Sequence, residues 1–293
     1  MISNEILRKV RRIEIISRKA SKELLAGEYH SAFKGRGMEF SQVREYELGD
    51  DIRLIDWNVT SRTGHLYVKQ FVEEREMTVI LALDLSASLA FISRGKIKRE
   101  VAAEIAALIA FTAMLNNDKV GLLLFTDTIE RYIPPQKGRT HLLRIIREIL
   151  TFSPKSVGTS IHTGLTYLNR VSRRHAIVFL ISDFLDHGFE PPLKVAARKH
   201  DLVAVRILDP RERSIPRRGT FRARDLESGR EFLLDFSRRH TVKAFSAALL
   251  EREERLQTFF RRIHVDSIDV PDDSSPEKPL FDFFLRRRRR FGR

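Results

Sequence analysis

The feature that most constrains this chain is a series of short, unbroken apolar runs separated by longer stretches of helical periodicity. Thr78–Asp84 (TVILALD), Lys119–Phe125 (KVGLLLF), His175–Ile181 (HAIVFLI) and Asp201–Leu208 (DLVAVRIL) are of strand length and largely apolar. That is the pattern of strands covered on both faces. Between them, Lys98–Asn117, Arg139–Leu150, Ser160–Val171 and Pro191–Lys199 carry apolar residues at helical spacing. A long charged helix, Arg238–Arg262, precedes a last strand, His264–Val270. Such alternation predicts an α/β fold, a doubly wound and mostly parallel central sheet with helices on both faces. Thr128–Ile133 (TIERYI) alternates polar with apolar instead, predicting one edge strand that Pro134–Pro135 ends. Right-handed crossovers then align the strands' carboxyl ends along one edge, and ligand sites form there, where strand order reverses.

Around this core the sequence divides into three. Residues 1–75 read as an N-terminal extension, a basic amphipathic helix followed by a charged, turn-rich segment with short strands. Residues 76–275 form the α/β domain, with a small β insert at about 212–236 whose hairpin turns at Gly229. Residues 276–293 form a basic tail in which FDFFLRRRRRFGR predicts a short helix docked by its aromatic face. The first 20 residues lack the continuous apolar stretch and cleavage site of a signal peptide. The longest apolar run, Ile105–Leu115, falls far short of the roughly 20 residues that span a bilayer. The absence of cysteine excludes disulfides, thiol catalysis and Cys-ligated zinc, and suits a cytoplasmic location.

Three segments fall at the carboxyl ends of strands or at a helix start that faces them. They are Asp84-Leu85-Ser86-Ala87-Ser88, Gly158-Thr159-Ser160 and Ser182-Asp183-Phe184. In a tight loop the alternate residues Asp84, Ser86 and Ser88 turn their oxygens one way while Leu85 and Ala87 turn the other. With Thr159 and Asp183 they supply two carboxylates and three hydroxyls. An all-oxygen set of this kind suits Mg²⁺, and less selectively Mn²⁺ or Ca²⁺, with water completing the shell. A partner's carboxylate can take the open position. The same side chains also serve a purely local role, capping the turn and helix that follow.

The pattern Asp84-x-Ser86-x-Ser88, then Thr159, then Asp183, resembles the metal-ion-dependent adhesion site (MIDAS) of von Willebrand factor A domains, over roughly Met77 to Val270. The segment before Thr159 lacks that motif's second glycine. Upstream, Gly35-x-Gly37-x-Glu39-Phe40, Arg44-Glu45-Tyr46-x-x-Gly49-Asp50-Asp51-x-Arg53-x-Ile55-Asp56-Trp57 and Gly64-x-Leu66-Tyr67-Val68-Lys69-Gln70-Phe71-x-Glu73-Glu74 are similar to a bacterial family. These are the MoxR-associated von Willebrand factor A-like proteins, the domain of unknown function fifty-eight. The resemblance implies a cytosolic, chaperone-like partner of a MoxR-type AAA+ ATPase that acts on a client protein's assembly or activation.

In the upstream block, Arg44, Glu45, Asp50, Asp51, Arg53 and Asp56 alternate in sign around Trp57, the one tryptophan. Two readings follow: an internal salt-bridge network fixing the segment to the sheet, or an exposed recognition surface. The apolar neighbours Ile55 and Val59 favour the first. The net charge of +14, concentrated in part in Arg286–Arg290, leaves a nucleic-acid or anionic-surface binder as the alternative function. Catalysis is not expected. No Gly-x-x-x-x-Gly-Lys phosphate loop, no His-Glu-x-x-His and no Gly-x-Ser-x-Gly elbow occurs, and paired serines substitute poorly for the carboxylates of a two-metal hydrolase.

Overall fold

The structure, a computed structural model, describes residues 4–33, 38–73, 76–90, 92–93, 96–209, 219–224, 229–271 and 275–291. In chain order it begins α1 (Asn4–Ala20), α2 (Ala26–Phe33), β1 (Met38–Glu45), α3 (Trp57–Thr63), β2 (Tyr67–Glu73), β3 (Thr78–Asp84), β4 (Ile92–Ser93) and β5 (Lys96–Ile97). There follow α4 (Lys98–Leu115), β6 (Lys119–Phe125), β7 (Ile129–Gln136), α5 (Arg139–Thr151), α6 (Ile161–Val171), β8 (Ile177–Ser182) and α7 (Glu190–Lys199). The chain continues with β9 (Asp201–Leu208), β10 (Thr220–Arg224), β11 (Glu231–Asp235), α8 (Arg239–Arg262), β12 (Asp266–Pro271) and α9 (Glu277–Phe291).

Six strands form one sheet in the order β12-β9-β8-β3-β6-β7. All neighbours run parallel except β7, which pairs antiparallel to β6 at the edge. Along β3 the side chains divide by parity. Val79, Leu81 and Leu83 enter a core built with α1, α2, α4, α5 and α9, while Ile80 and Ala82 enter a second core built with α6, α7 and α8. Both faces are therefore covered, which is why these strands are apolar at every position. The α/β fold with its one antiparallel edge strand stands as the alternation predicts.

One boundary differs. Pro134 and Pro135 do not end the edge strand, which continues to Gln136. Only one side of an edge strand must donate to a neighbour, and the register slips between Val120 and Leu122 where the prolines fall, so their missing N–H groups cost little. Beneath them Gly121 leaves room that a Cβ would fill, 2.9 Å from the Pro135 ring.

The segments read as extension and tail both enter the core. Tyr29, Phe33 and Phe284 meet edge to face at 5.6–6.0 Å, and the Tyr29 hydroxyl donates to Asp118 Oδ2 at 3.0 Å. The aromatic face of α9 is docked as expected, but the helix starts earlier, at Glu277. Arg287 on the same helix is 3% exposed. It pairs with Asp201 and Asp266 and stacks over the Phe33 ring at 4.4 Å. Arg288 reaches Glu28 at 2.6 Å and Arg290 reaches Asp266 at 2.9 Å. Three members of the arginine run are thus paired with carboxylates, Arg287 inside the fold and Arg288 and Arg290 at its surface.

In the insert, β10 and β11 pair antiparallel, and Gly229 lies at φ 69°, where the expected turn needs a residue without a Cβ. Residues 210–218 and 225–228 of that region, and 272–274 of the Pro271–Pro276 linker, lie outside the described residues. A tighter constraint sits on α6. A Cβ on Gly164 would come within 2.8 Å of the Phe125 ring, so α6 lies on β6 with no room between them. Gly164→Ala should cost about 1–3 kcal/mol by overpacking, measured as a lowered urea midpoint with an unchanged slope. A neutral result would mean that the ring moves aside freely.

Candidate metal centre

Strand order places the site. The chain leaves β3 for β6 and β7 on one side and returns to β8 on the other, so the carboxyl ends of β3 and β8 flank the reversal. Leu83 pairs with Ile181, which sets Asp84 beside Ser182. Asp84 is fully buried. Its Oδ1 accepts from the Ser86 amide at 2.8 Å and its Oδ2 from the Ser182 hydroxyl at 2.8 Å. The Ser86 and Ser88 hydroxyls lie 3.0 Å apart. Burial, and then the neighbouring Asp183, push the Asp84 carboxyl up to about 7, against the Ser86 and Ser182 hydrogen bonds that favour its charged form.

Asp183 follows directly. One oxygen accepts from the Leu185 amide at 3.1 Å. The other, Oδ2, is buried without a hydrogen-bond partner. The Lys98 ammonium lies 3.6 Å from it, and the two side chains are 0% and 1% exposed. After Asp183 the backbone turns sharply. Phe184 takes the left-handed conformation at φ 56°, held by Arg252, which donates to its carbonyl at 2.9 Å, and by the Phe189 and Phe260 rings. A bulky residue in that region is strained, and such strain collects where a loop must be aimed.

Thr159 is half-buried in the loop that crosses this edge. The Ala87 amide donates to Val157 O at 3.0 Å, and the Ser160 amide to Thr126 O at 3.1 Å. The residues on either side of Thr159 are thereby pinned to the Asp84–Ser88 turn and to the end of β6. Ser160 caps α6 by accepting from the Thr163 amide at 3.1 Å, and Asp186 Oδ2 accepts from the Ile161 amide at 2.7 Å. Asp84, Ser86, Ser88 and Asp183 thus meet at one edge, with the Thr159 segment held against the same turn.

Sequence reasoning overlooked three participants. Ser182 bridges the carboxylate loops, Asp186 anchors the start of α6, and Lys98 places a cation beside Asp183. The signal for Lys98 was present, a lysine opening an alanine-rich helix that is buried almost all round. The donor set is of the kind a hard divalent cation takes, since the Asp183 oxygen makes no hydrogen bond and the paired serine hydroxyls add neutral oxygen ligands. Among the described residues no group of three or more His, Cys, Asp or Glu side chains could hold a metal. Any ion here therefore depends on hydroxyls and water as well as the two carboxylates.

Among the described residues, the ion pairs of the upstream cluster are local and do not reach the six-stranded sheet. Arg44 pairs bidentately with Asp50 at 2.6 and 2.8 Å, Arg53 with Asp51 at 3.2 Å, and Lys69 with Asp56 at 3.9 Å. Every partner lies within the same segment, beside the antiparallel β1–β2 pair. Asp56 spends one oxygen capping α3, accepting from the Asn58 and Val59 amides. Trp57, as the first helical residue, is turned outward and 67% exposed, while Ile55 is buried. Apolar neighbours therefore do not bury Trp57, because the Asp56 cap starts a helix at that residue. Glu45 is exposed as well. Gly35, Gly37 and Glu74 lie outside the described residues.

The sheet and the site at its edge define a doubly wound α/β domain with an aspartate–serine turn at the point where strand order reverses. The chain belongs to the family described as Protein of unknown function DUF58, whose sequence model matches residues 42–255. The uncharacterized protein Rv1480 of Mycobacterium tuberculosis is 33% identical over 244 residues, 82% of this chain and 77% of that protein. Among solved structures, the conserved hypothetical protein BatB of Bacteroides thetaiotaomicron is similar at 19% identity, covering 73% of this chain and 99% of BatB with a TM-score of 0.48. Proximal thread matrix protein 1 of the mussel byssus, with a zinc-occupied MIDAS motif, is similar at 16% identity over 45% of this chain and 38% of that one, with a TM-score of 0.36. Among the described residues no helix is long and apolar enough to cross a membrane.

Proposed function

We propose that this chain is a non-enzymatic, metal-dependent protein-binding module. Asp84, Ser86, Ser88, Thr159 and Asp183 would hold Mg²⁺, or Mn²⁺ or Ca²⁺ in its place, and the ion would supply an open position for a carboxylate of the bound protein. The observation that carries this reading is the buried Asp183 oxygen with no hydrogen-bond partner, one residue from the Ser182 bridge to Asp84. A buried carboxylate oxygen without a hydrogen bond is incompletely satisfied, since the Lys98 ammonium stands off at 3.6 Å, and a directly bound cation would complete it. The chain's own residues fix the ligands before any ion arrives: Ser182 and the Ser86 amide orient Asp84, and the Val157–Ala87 contact holds the turn.

The partner is a MoxR-type AAA+ ATPase, with a client protein as the second, and the role is that of an adaptor in assembly or activation. The upstream block supports this, since the family match extends through most of it and Trp57 stands exposed in the same segment as Arg44 and Arg53, tryptophan and arginine being residue types enriched at binding hot spots. Purified MoxR-type ATPase from the same genome should be retained on the immobilised chain in Mg²⁺. Chelator, or Asp84→Ala, should cut that retention at least tenfold while circular dichroism stays unchanged. Equal retention in all three conditions would end the metal-mediated reading.

A further inference from the structure

We propose that Lys98 is a built-in competitor for the divalent ion, a fixed ammonium that holds the site's intrinsic metal affinity down. This rests on the metal reading above and adds a determinant that the ligand pattern does not contain. Lys98 is the first residue of α4 and is 0% exposed. Its Nζ lies 3.6 Å from Asp183 Oδ2, the same oxygen that has no hydrogen bond. The distance is too long for a hydrogen bond and short enough for strong attraction between buried charges.

The charges decide the behaviour. Asp84 and Asp183 bring two negative charges when both are ionised, and Lys98 brings one positive charge. A divalent ion that binds Asp183 enters beside the ammonium, in a place with almost no solvent to screen the two. Lys98 therefore opposes the ion twice, by offsetting the charge of the Asp183 carboxylate and by repelling the ion directly. An anionic group from a bound protein offsets that repulsion, so the site favours metal and partner together over metal alone.

The test is a Mn²⁺ titration followed by the paramagnetic resonance of the free ion, on the whole chain at pH 8, comparing wild type with Lys98→Met. Methionine keeps the length of the side chain and removes its charge. The expected result is binding at least tenfold tighter in the variant, abolished in the Lys98→Met/Asp84→Ala double variant. Binding in Lys98→Met that equals or is weaker than wild type overturns the role of Lys98 and leaves the metal reading standing. No uptake of Mn²⁺ by either protein overturns both. Should Lys98→Met fail to give a cooperative thermal transition, Lys98→Gln carries the same comparison with the same two outcomes.

Discussion

Asp84→Asn should stabilise the metal-free protein at pH 7, by roughly 2–4 kcal/mol, and leave it unchanged near pH 4. The unfolded chain releases this proton near the ordinary carboxylate value of about 3.9, whereas burial and the neighbouring Asp183 hold it in the folded state up to about 7. Between those values the folded state binds the proton and the unfolded state does not. Stability from this residue is therefore fully present at about pH 4 and is lost as pH rises towards 7. The charged groups facing it are Asp183 and, through Asp183, Lys98. Asp118, also raised by burial to about 6, slopes in the same direction, so the informative quantity is the difference between wild type and variant across pH. Denaturant titrations at pH 4, 5.5 and 7 measure it. A constant difference, or a variant less stable at pH 7 than at pH 4 relative to wild type, would show that Asp84 folds as a freely ionised group.

Arg287→Ala should be the most damaging single change outside the site, costing about 3–5 kcal/mol, because it removes a buried cation that is paired with the buried Asp201 carboxylate. Arg287 and Asp201 are 3% and 6% exposed, and the guanidinium also covers the Phe33 ring, so packing is lost along with charge. Its neighbour Arg286 faces solvent and should tolerate alanine within about 0.5 kcal/mol. Urea midpoints of the two variants make the comparison. Similar losses at both positions would mean that the run acts as one diffuse positive charge.

The architecture was legible because burial on two faces writes itself into every position of a strand. TVILALD and KVGLLLF admit no other reading, and both appear at the same residues in the structure. The carboxylate–serine turn was legible for a related reason, since polar residues directly after an apolar strand can only stand at the sheet's edge. What escaped notice depended on contacts distant in sequence. Lys98 looks like an ordinary helix start until the loop 85 residues later brings Asp183 to it. Trp57 misled because its apolar neighbours Ile55 and Val59 suggested burial, whereas Asp56 caps a helix whose first residue, Trp57, faces outward. The arginine run looked like a charged surface because its partners, Glu28, Asp201 and Asp266, come from three separate parts of the chain.

The docking of α9 bears on how the chain completes its fold as it is made. Residues 277–291 are synthesised after everything they touch, yet Leu280, Phe283 and Phe284 complete the layer that covers Leu25, Tyr29 and Phe33. Until residues 277–291 have emerged from the ribosome, the first two helices can lie against α4 but their aromatic flank stays wet. A nascent chain halted before residue 277 would carry a lasting adhesive surface, prone to misassembly.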